Sequence, residues 1–374
     1  MMSVTGVLVS VAAFVLVIGP LVFVHELGHY LAGRWFGVKA EEFSIGFGRE
    51  LFGINDRRGT RWKFSLLPIG GYVRFAGDMD MSSREDPAWK ELPPEIRDQT
   101  FPSKSVWQRA IIVAAGPLTN LLVAFVILAG FGMVYGKIDP QAYVGKVVVG
   151  SPAARAGLAA GDRIVAMGGK PVVQFVDIFD FVRARPGATV PLRIERGGVR
   201  IERSVTIGSV VGQDEAGRSV TIGQIGISPR AIAVGPVEAS LLAGRGIGSI
   251  MGSMGDLLGQ IVIGQRSVKE LGGPLRIAQV SGQQMEAGVS SMVWLIALIS
   301  INLGFINLLP VPVLDGGHLL FYAIEAVRRR PVEPAVQEWA FRGGLAAVLG
   351  LMVLVTFNDL GAFGLWKSLT GLIG

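Results

Sequence analysis

Two histidines four residues apart, with a glutamate directly after the first, lie inside a long apolar run: Val24-His25-Glu26-Leu27-Gly28-His29. No other stretch constrains the chain as much. On a helix, residues at i and i+4 share a face, so both imidazoles can reach one ion. Glu26 projects beside them, where it can take a proton from water activated by that ion. The bland alternative is two polar side chains at a helix end that touch headgroups or a neighbouring helix. Ionisable residues at bilayer depth are expensive and are usually functional, which favours the chemical reading.

The surrounding composition fits a membrane. Half of the 374 residues are hydrophobic and 17% are charged, and the mean hydropathy is positive, a balance outside that of ordinary soluble domains. The formal net charge of +6 does not point to nucleic acid, because no basic helix or aromatic-basic pattern accompanies it; part of the excess follows the positive-inside rule. Cysteine is absent, which removes disulfides and thiolate zinc sites. Any imidazole metal site must draw on His25, His29 and His318.

Residues 1–36 hold the first span. Positions 4–24 are long enough, at about 1.5 Å per residue, to cross much of a hydrocarbon core of about 30 Å. A cleaved signal peptide fits poorly, since no basic region opens the chain and no small-residue cleavage site follows. Residues 37–105 turn to strand-like runs at 42–48, 61–66 and 71–75, then a polar loop from 79. A small antiparallel sheet near the membrane is expected, either as a lid or strut or as an edge that pairs with an extended substrate. Residues 106–136 form the second span, where Gly116 and Pro117 weaken the helical ladder. Asn120 in that span reads as a hydrogen bond between helices rather than a catalytic group.

Residues 137–232 look soluble. Gly150-Ser151-Pro152-Ala153-Ala154-Arg155-Ala156-Gly157-Leu158, followed by Gly161-Asp162-Arg163-Ile164-Val165, predicts a short helix capped by Ser151, opened by Pro152 and ended by Gly157, then a strand. This closely resembles a PDZ domain, which binds chain ends or extended peptides by strand addition; a rigid spacer that excludes bulky substrates is the competing role. Residues 233–290 suggest amphipathic helices at a membrane surface. Residues 291–330 carry the third span and Asn307-Leu308-Leu309-Pro310-Val311-Pro312-Val313-Leu314-Asp315-Gly316-Gly317-His318, where the prolines interrupt the helix and swing Asp315 toward the bundle interior. Residues 331–374 hold the fourth span and the C-terminus. The fold class is thus a polytopic α-helical membrane protein of about four transmembrane helices, with a small membrane-associated β-sheet and one inserted PDZ-like α/β domain.

HELGH in the first span, GPLTN in the second, the PDZ-like insertion and NLLPVPVLDGGH after the third together resemble the site-2 protease family of intramembrane zinc metalloproteases. The bacterial branch that regulates the sigma-E envelope-stress response is the nearest match, over essentially the whole chain. The resemblance implies zinc held by His25, His29 and Asp315, water activated by Glu26, and Asn307 near the substrate. It also implies a lipid-embedded substrate, a single-span anti-sigma factor already trimmed outside by another protease, and a place in the bacterial inner membrane. The best-known members of the branch carry two PDZ-like domains where this chain shows one.

Residue chemistry runs parallel. Catalytic zinc takes three protein ligands and leaves one position open. Asp315 is the third candidate because it alone among nearby acids lies beside a proline-broken membrane segment. Asn307 either hydrogen-bonds the substrate backbone or developing oxyanion, or joins helices. His318 reads as a packing or supporting residue, pointed elsewhere by the Gly316-Gly317 turn. Arg57, Arg58, Arg61, Arg109 and Arg328 to Arg330 place residues 36–105 and the arginine cluster in the cytoplasm, leaving the PDZ-like domain periplasmic. Two other classes compete: a zinc-dependent transporter, which should show paired repeats that are not found, and a catalytically silent membrane PDZ scaffold, which would not need Glu26.

Overall fold

The apolar stretch around HELGH forms one helix, α1 (Val4–Trp35), that carries Pro20 without ending there. A computed structural model describes residues 4–78, 87–213, 219–268 and 271–362 of the chain. Residues 79–86 of the expected polar loop, 214–218 of the inserted domain, 269 and 270 of the expected surface segment and the C-terminal 363–374 lie outside the described residues. The chain divides into two compact units, one made of residues 1–128 and 243–374, the other of 129–242.

In the first unit α1 is followed by β1 (Ala40–Asn55), β2 (Arg61–Phe75), a single helical turn α2 (Pro94–Arg97) and the long helix α3 (Val106–Tyr135). Both strands bend and double back. Residues 42–45 pair with 71–74 on one side and with 61–64 on the other, while 61–64 also pair with 52–55. The expected small antiparallel sheet therefore gains a further segment at 52–55, and 71–74 is left as an edge.

Aromatic packing fastens this sheet to α1. Phe43 stacks on Trp62 at 4.3 Å between ring centroids, and Tyr30 meets both rings edge-on. The Tyr30 hydroxyl donates to Asp56 Oδ2 at 3.3 Å, and Trp62 Nε1 donates to the same oxygen at 3.2 Å. Full burial of an aromatic side chain such as Phe43 stabilises by about 1.5–3 kcal/mol, so Tyr30, the residue of α1 directly after His29, is packed on a well-anchored part of the sheet.

The return of the chain to this unit supplies α6 (Pro236–Val262), α7 (Pro274–Ala287), α8 (Val289–Asn307), α9 (Asp315–Arg328) and α10 (Pro334–Ala362). The prolines of the LLPVPVL segment leave a gap between α8 and α9 at 308–314, as their missing N–H groups require. α7 is held by packing rather than lying free: Gly282 faces Ser10 of α1, and the carboxylate of Asp359 on α10 accepts from the backbone N–H of Gly273 and Arg276 at its N-terminus. A negative group there meets the positive end of the helix dipole. Ala13, Val17 and Leu21 of α1 pack against Met292 and Leu295 of α8. Four helices among the described residues are long and apolar enough to cross a membrane: Gly6–Trp35, Val106–Tyr135, Val289–Asn307 and Pro334–Gly361.

The second unit has its own core, with Ile164, Met167, Leu192 and Ile194 inaccessible to solvent or nearly so. Between β3 (Lys137–Ile138) and β12 (Ala231–Ile232), which pair, run β4 (Val144–Val147), α4 (Pro152–Arg155), β5 (Arg163–Met167), β6 (Lys170–Pro171), α5 (Phe175–Arg183), β7 (Thr189–Arg196), β8 (Val199–Thr206), β9 (Gly208–Gln213), β10 (Ser219–Gln224) and β11 (Ile227–Pro229). A four-stranded sheet has the order β6-β5-β7-β8, and β4 pairs with β11. Ser151 caps α4 by accepting from Ala154 N at 3.2 Å, and Gly157 takes the positive φ of 74° that ends the turn. Asp162 is fully buried at the turn into β5, where Arg196 of β7 donates to both its oxygens at 2.6 and 2.9 Å. Burial alone would raise that carboxyl, but the Arg196 guanidinium and the Ala159 N–H outweigh it and hold it below the usual carboxylate range.

Candidate metal centre

His25 and His29 stand one turn apart on α1, and their Nε2 atoms are 3.3 Å apart. Asp315 is the first residue of α9, and its Oδ2 lies 3.2 Å from His25 Nε2 and 3.5 Å from His29 Nε2. Among the described residues this is the one group of potential ligands whose donor atoms all fall within 4.8 Å of one another. Zinc bonds of 2.0–2.1 Å directed at the corners of a tetrahedron would hold such donors about 3.3 Å apart, which is the spacing found. Asp315 Oδ2 is also buried with no hydrogen-bond donor aligned on it. An unpaired carboxylate oxygen facing two imidazole nitrogens is costly unless a cation neutralises it. The three side chains fit a zinc ion.

Neighbouring backbone sets the geometry. His29 Nδ1 donates to the carbonyl of Ile112 on α3 at 2.9 Å, which leaves Nε2 with its lone pair toward Asp315. The ring lies so close to α3 that a Cβ on Gly116 would sit 2.2 Å from His29 Nε2. Glycine inside a helix costs about 1 kcal/mol against alanine, and that cost was the signal, visible in GPLTN, that something approaches closely there. At the other donor, a Cβ on Gly316 would be 2.2 Å from Leu309 O and 2.4 Å from Leu308 O, so α9 can begin against the end of α8 only without a side chain after Asp315. Val313 has φ of 91°, a left-handed conformation that a β-branched residue adopts only under strain of about 1–3 kcal/mol. Sequence pattern gave no hint of it.

The donors open onto a cavity of about 450 Å³ whose lining includes Glu26, Gly71, Tyr72, Asn307 and Val313. Glu26 is buried beside the histidines, and Val73 of the edge segment 71–74 lines the same cavity. Tyr72 donates from its hydroxyl to Glu42 Oε2 at 2.9 Å, and Arg74 donates to Glu42 Oε1 at 2.8 Å. Lys63 bonds to the same carboxylate. Burial would raise Glu42, but these donors prevail and keep it below the ordinary carboxylate range.

One residue differs from its sequence reading in where it lies. His318 does not point elsewhere: it lines the same cavity, with its ring 4.9 Å from that of Phe341. The Gly316-Gly317 pair is already inside α9, so it turns no corner, and three residues along a helix return His318 toward the face of Asp315. Asn120 does make a contact between helices, as read, but its partner is His25, whose Nδ1 lies 3.2 Å from the side-chain amide. Asn307, the last residue of α8, lines the same cavity.

The family model for Peptidase family M50 matches residues 13–351. A protein of Agrobacterium fabrum, provisionally named a zinc metalloprotease, is 43% identical over 96% of this chain and 98% of its own length. The metalloprotease MmpA of Caulobacter vibrioides is 36% identical over 98% of this chain and 99% of its own. Among solved structures, the PDZ domain of an SdrC-like protein from Listeria innocua is similar to 25% of this chain and 97% of that one, at 26% identity and a TM-score of 0.20.

Proposed function

From the premise that the chain belongs to peptidase family M50, we propose that this zinc metalloprotease hydrolyses a peptide bond in or near a transmembrane segment of a membrane protein. His25, His29 and Asp315 are the ligands and Glu26 the general base in this reading. Bound zinc supplies Lewis acidity and brings water into the range of ionisation near neutral pH. Glu26 accepts the proton of the attacking water and returns it to the leaving amine. The observation that carries the reading is placement: Glu26 and both histidines belong to a helix long and apolar enough to cross a membrane, and Asp315 meets them from α9.

Peptide bonds inside a helix are shielded, so the substrate must be drawn out. The edge segment 71–74 borders the cavity, and an extended chain can add to it by backbone hydrogen bonds. Asn307, which lines the same cavity, bonds the substrate backbone in this reading. Loop charge supports an inner-membrane orientation with residues 36–105 cytoplasmic and the inserted unit periplasmic. A single-span anti-sigma factor, cut in regulated intramembrane proteolysis, is the substrate class that the sequence resemblance favours.

Purified zinc-loaded protein in proteoliposomes, offered a single-span substrate and a soluble peptide of the same sequence, tests the reaction. Cleavage should fall within or beside the membrane segment. Efficient cleavage of the soluble peptide with the embedded one left intact would overturn the proposal. The membrane protein that accumulates bound to a Glu26→Gln variant in cells identifies the substrate, and its not being an anti-sigma factor would remove that part.

A further inference from the structure

Asn120 is completely buried in the middle of α3, a position where an amide must have a reason to be. Its side-chain nitrogen faces His25 Nδ1 at 3.2 Å, while its Oδ1 is buried without a hydrogen-bond partner. Oxygen and nitrogen of such an amide exchange places by a half turn. One polar atom stays unpaired in either orientation, so the hydrogen-bond count does not choose between them. The histidine does. If Nδ2 donates to Nδ1, the ring proton sits on Nε2 and faces Asp315 and His29, and His25 cannot ligate through that nitrogen. If Oδ1 accepts from Nδ1–H, the Nε2 lone pair points at the donor cluster, as the Ile112 carbonyl already arranges for His29.

We propose that Asn120 is a positioning residue for the metal centre, whose Oδ1 accepts from His25 Nδ1–H and thereby fixes the tautomer and ring orientation that aim Nε2 at the ion. The proposal rests on the reading of His25 as a ligand. The main chain at Asn120 is tied to a further helix: Ser300 of α8, also inaccessible to solvent, donates its hydroxyl to the backbone carbonyl of Asn120 at 2.7 Å. One bond to the main chain of Asn120 and one at its side chain thus tie α8 and α3 to the ligand helix. Outer partners of this kind typically contribute 10- to 100-fold to metal affinity.

The test is zinc affinity of the full-length protein in detergent, measured by chelator competition, with thermal unfolding of the metal-free form as the control for folding. Asn120→Ala should weaken zinc binding about 10- to 100-fold. Asn120→Asp, which keeps the acceptor and loses the donor, should stay within a few-fold of wild type. Equal loss in both variants, or no loss in Asn120→Ala, overturns the proposal. A His25→Ala variant that binds zinc as tightly as wild type would instead overturn the ligand assignment beneath it. A second measurement needs no variant at Asn120: with three histidines in the chain, nitrogen NMR of the zinc-loaded protein can read the His25 tautomer directly. A proton on Nδ1 is expected, and a proton on Nε2 excludes the role.

Discussion

Arg109 Nη2 donates to Glu325 Oε1 across 2.7 Å, joining α3 to the helix that begins at Asp315. Both side chains are largely buried, and the guanidinium also lies over the Tyr322 ring at 4.9 Å. Removing one member of a buried pair leaves an uncompensated charge at a cost of about 3–5 kcal/mol, whereas replacing both by apolar groups costs far less. Arg109→Met should therefore lower the unfolding temperature sharply and weaken zinc binding by displacing α9, and Arg109→Met with Glu325→Leu should recover much of the stability. Thermal unfolding of the single and double variants checks this. A double variant no better than the single one would show that the pair is not what holds α9.

Glu26→Gln preserves size and leaves the three proposed ligands in place. Zinc content should remain stoichiometric while peptide hydrolysis falls by about 100-fold or more, the range for loss of general-base catalysis. Asp315→Ala should behave differently and lose zinc together with activity. Metal analysis of the two folded variants separates the roles, and stoichiometric zinc in Asp315→Ala would point to another ligand.

Gly116→Ala adds one methyl group where His29 Nε2 would stand 2.2 Å away. Alanine is the better helix former by about 1 kcal/mol, so α3 itself should not suffer. The expected result is a folded protein with zinc affinity reduced at least tenfold, because the clash falls on the proposed ligand atom. Unchanged affinity would mean that the two helices can part without cost.

Legibility of this protein from sequence follows range and chemistry. The i and i+4 histidines, the apolar spans and the helix break at Pro310 and Pro312 are local patterns with a physical period, and they could be read directly. Contacts across long separations could not: Asn120 and His25 are 95 residues apart, Arg109 and Glu325 are 216 apart, and neither pair is marked by spacing. The sheet was visible as alternating runs, but the addition of 52–55 beside 61–64 depends on bends that no periodicity announces. His318 was misplaced for a related reason, since Gly316 and Gly317 read as a turn, whereas close approach of Gly316 to Leu308 and Leu309 and of Gly317 to Val311 and Pro312 demands them.

The inserted unit should respond to acid through Asp162. Its folded pKa lies below the unfolded value of about 3.9, so the stabilisation is fully present above that value and is lost as pH falls through the folded pKa. Hydrogen exchange of β5 and β7 in the intact protein, corrected for intrinsic rates, should show protection falling between about pH 4 and lower values. Asp162→Asn should be less protected at neutral pH and nearly indifferent to acid in this range. Identical pH dependence in the two proteins would assign the acid response to other groups.

The donor cluster also carries a consequence for the protein's own making. His25 and Asp315 stand 315 − 25 = 290 positions apart, so at about 5–20 residues per second the ribosome needs roughly 15 to 60 s between delivering the two. During that interval the nascent chain has its first apolar helix with two histidines and Glu26 but lacks the Asp315 carboxylate that meets them. The cluster can close only after nearly the whole polypeptide has emerged. A growing chain is thus kept from forming its full donor set early by the order in which its parts are translated.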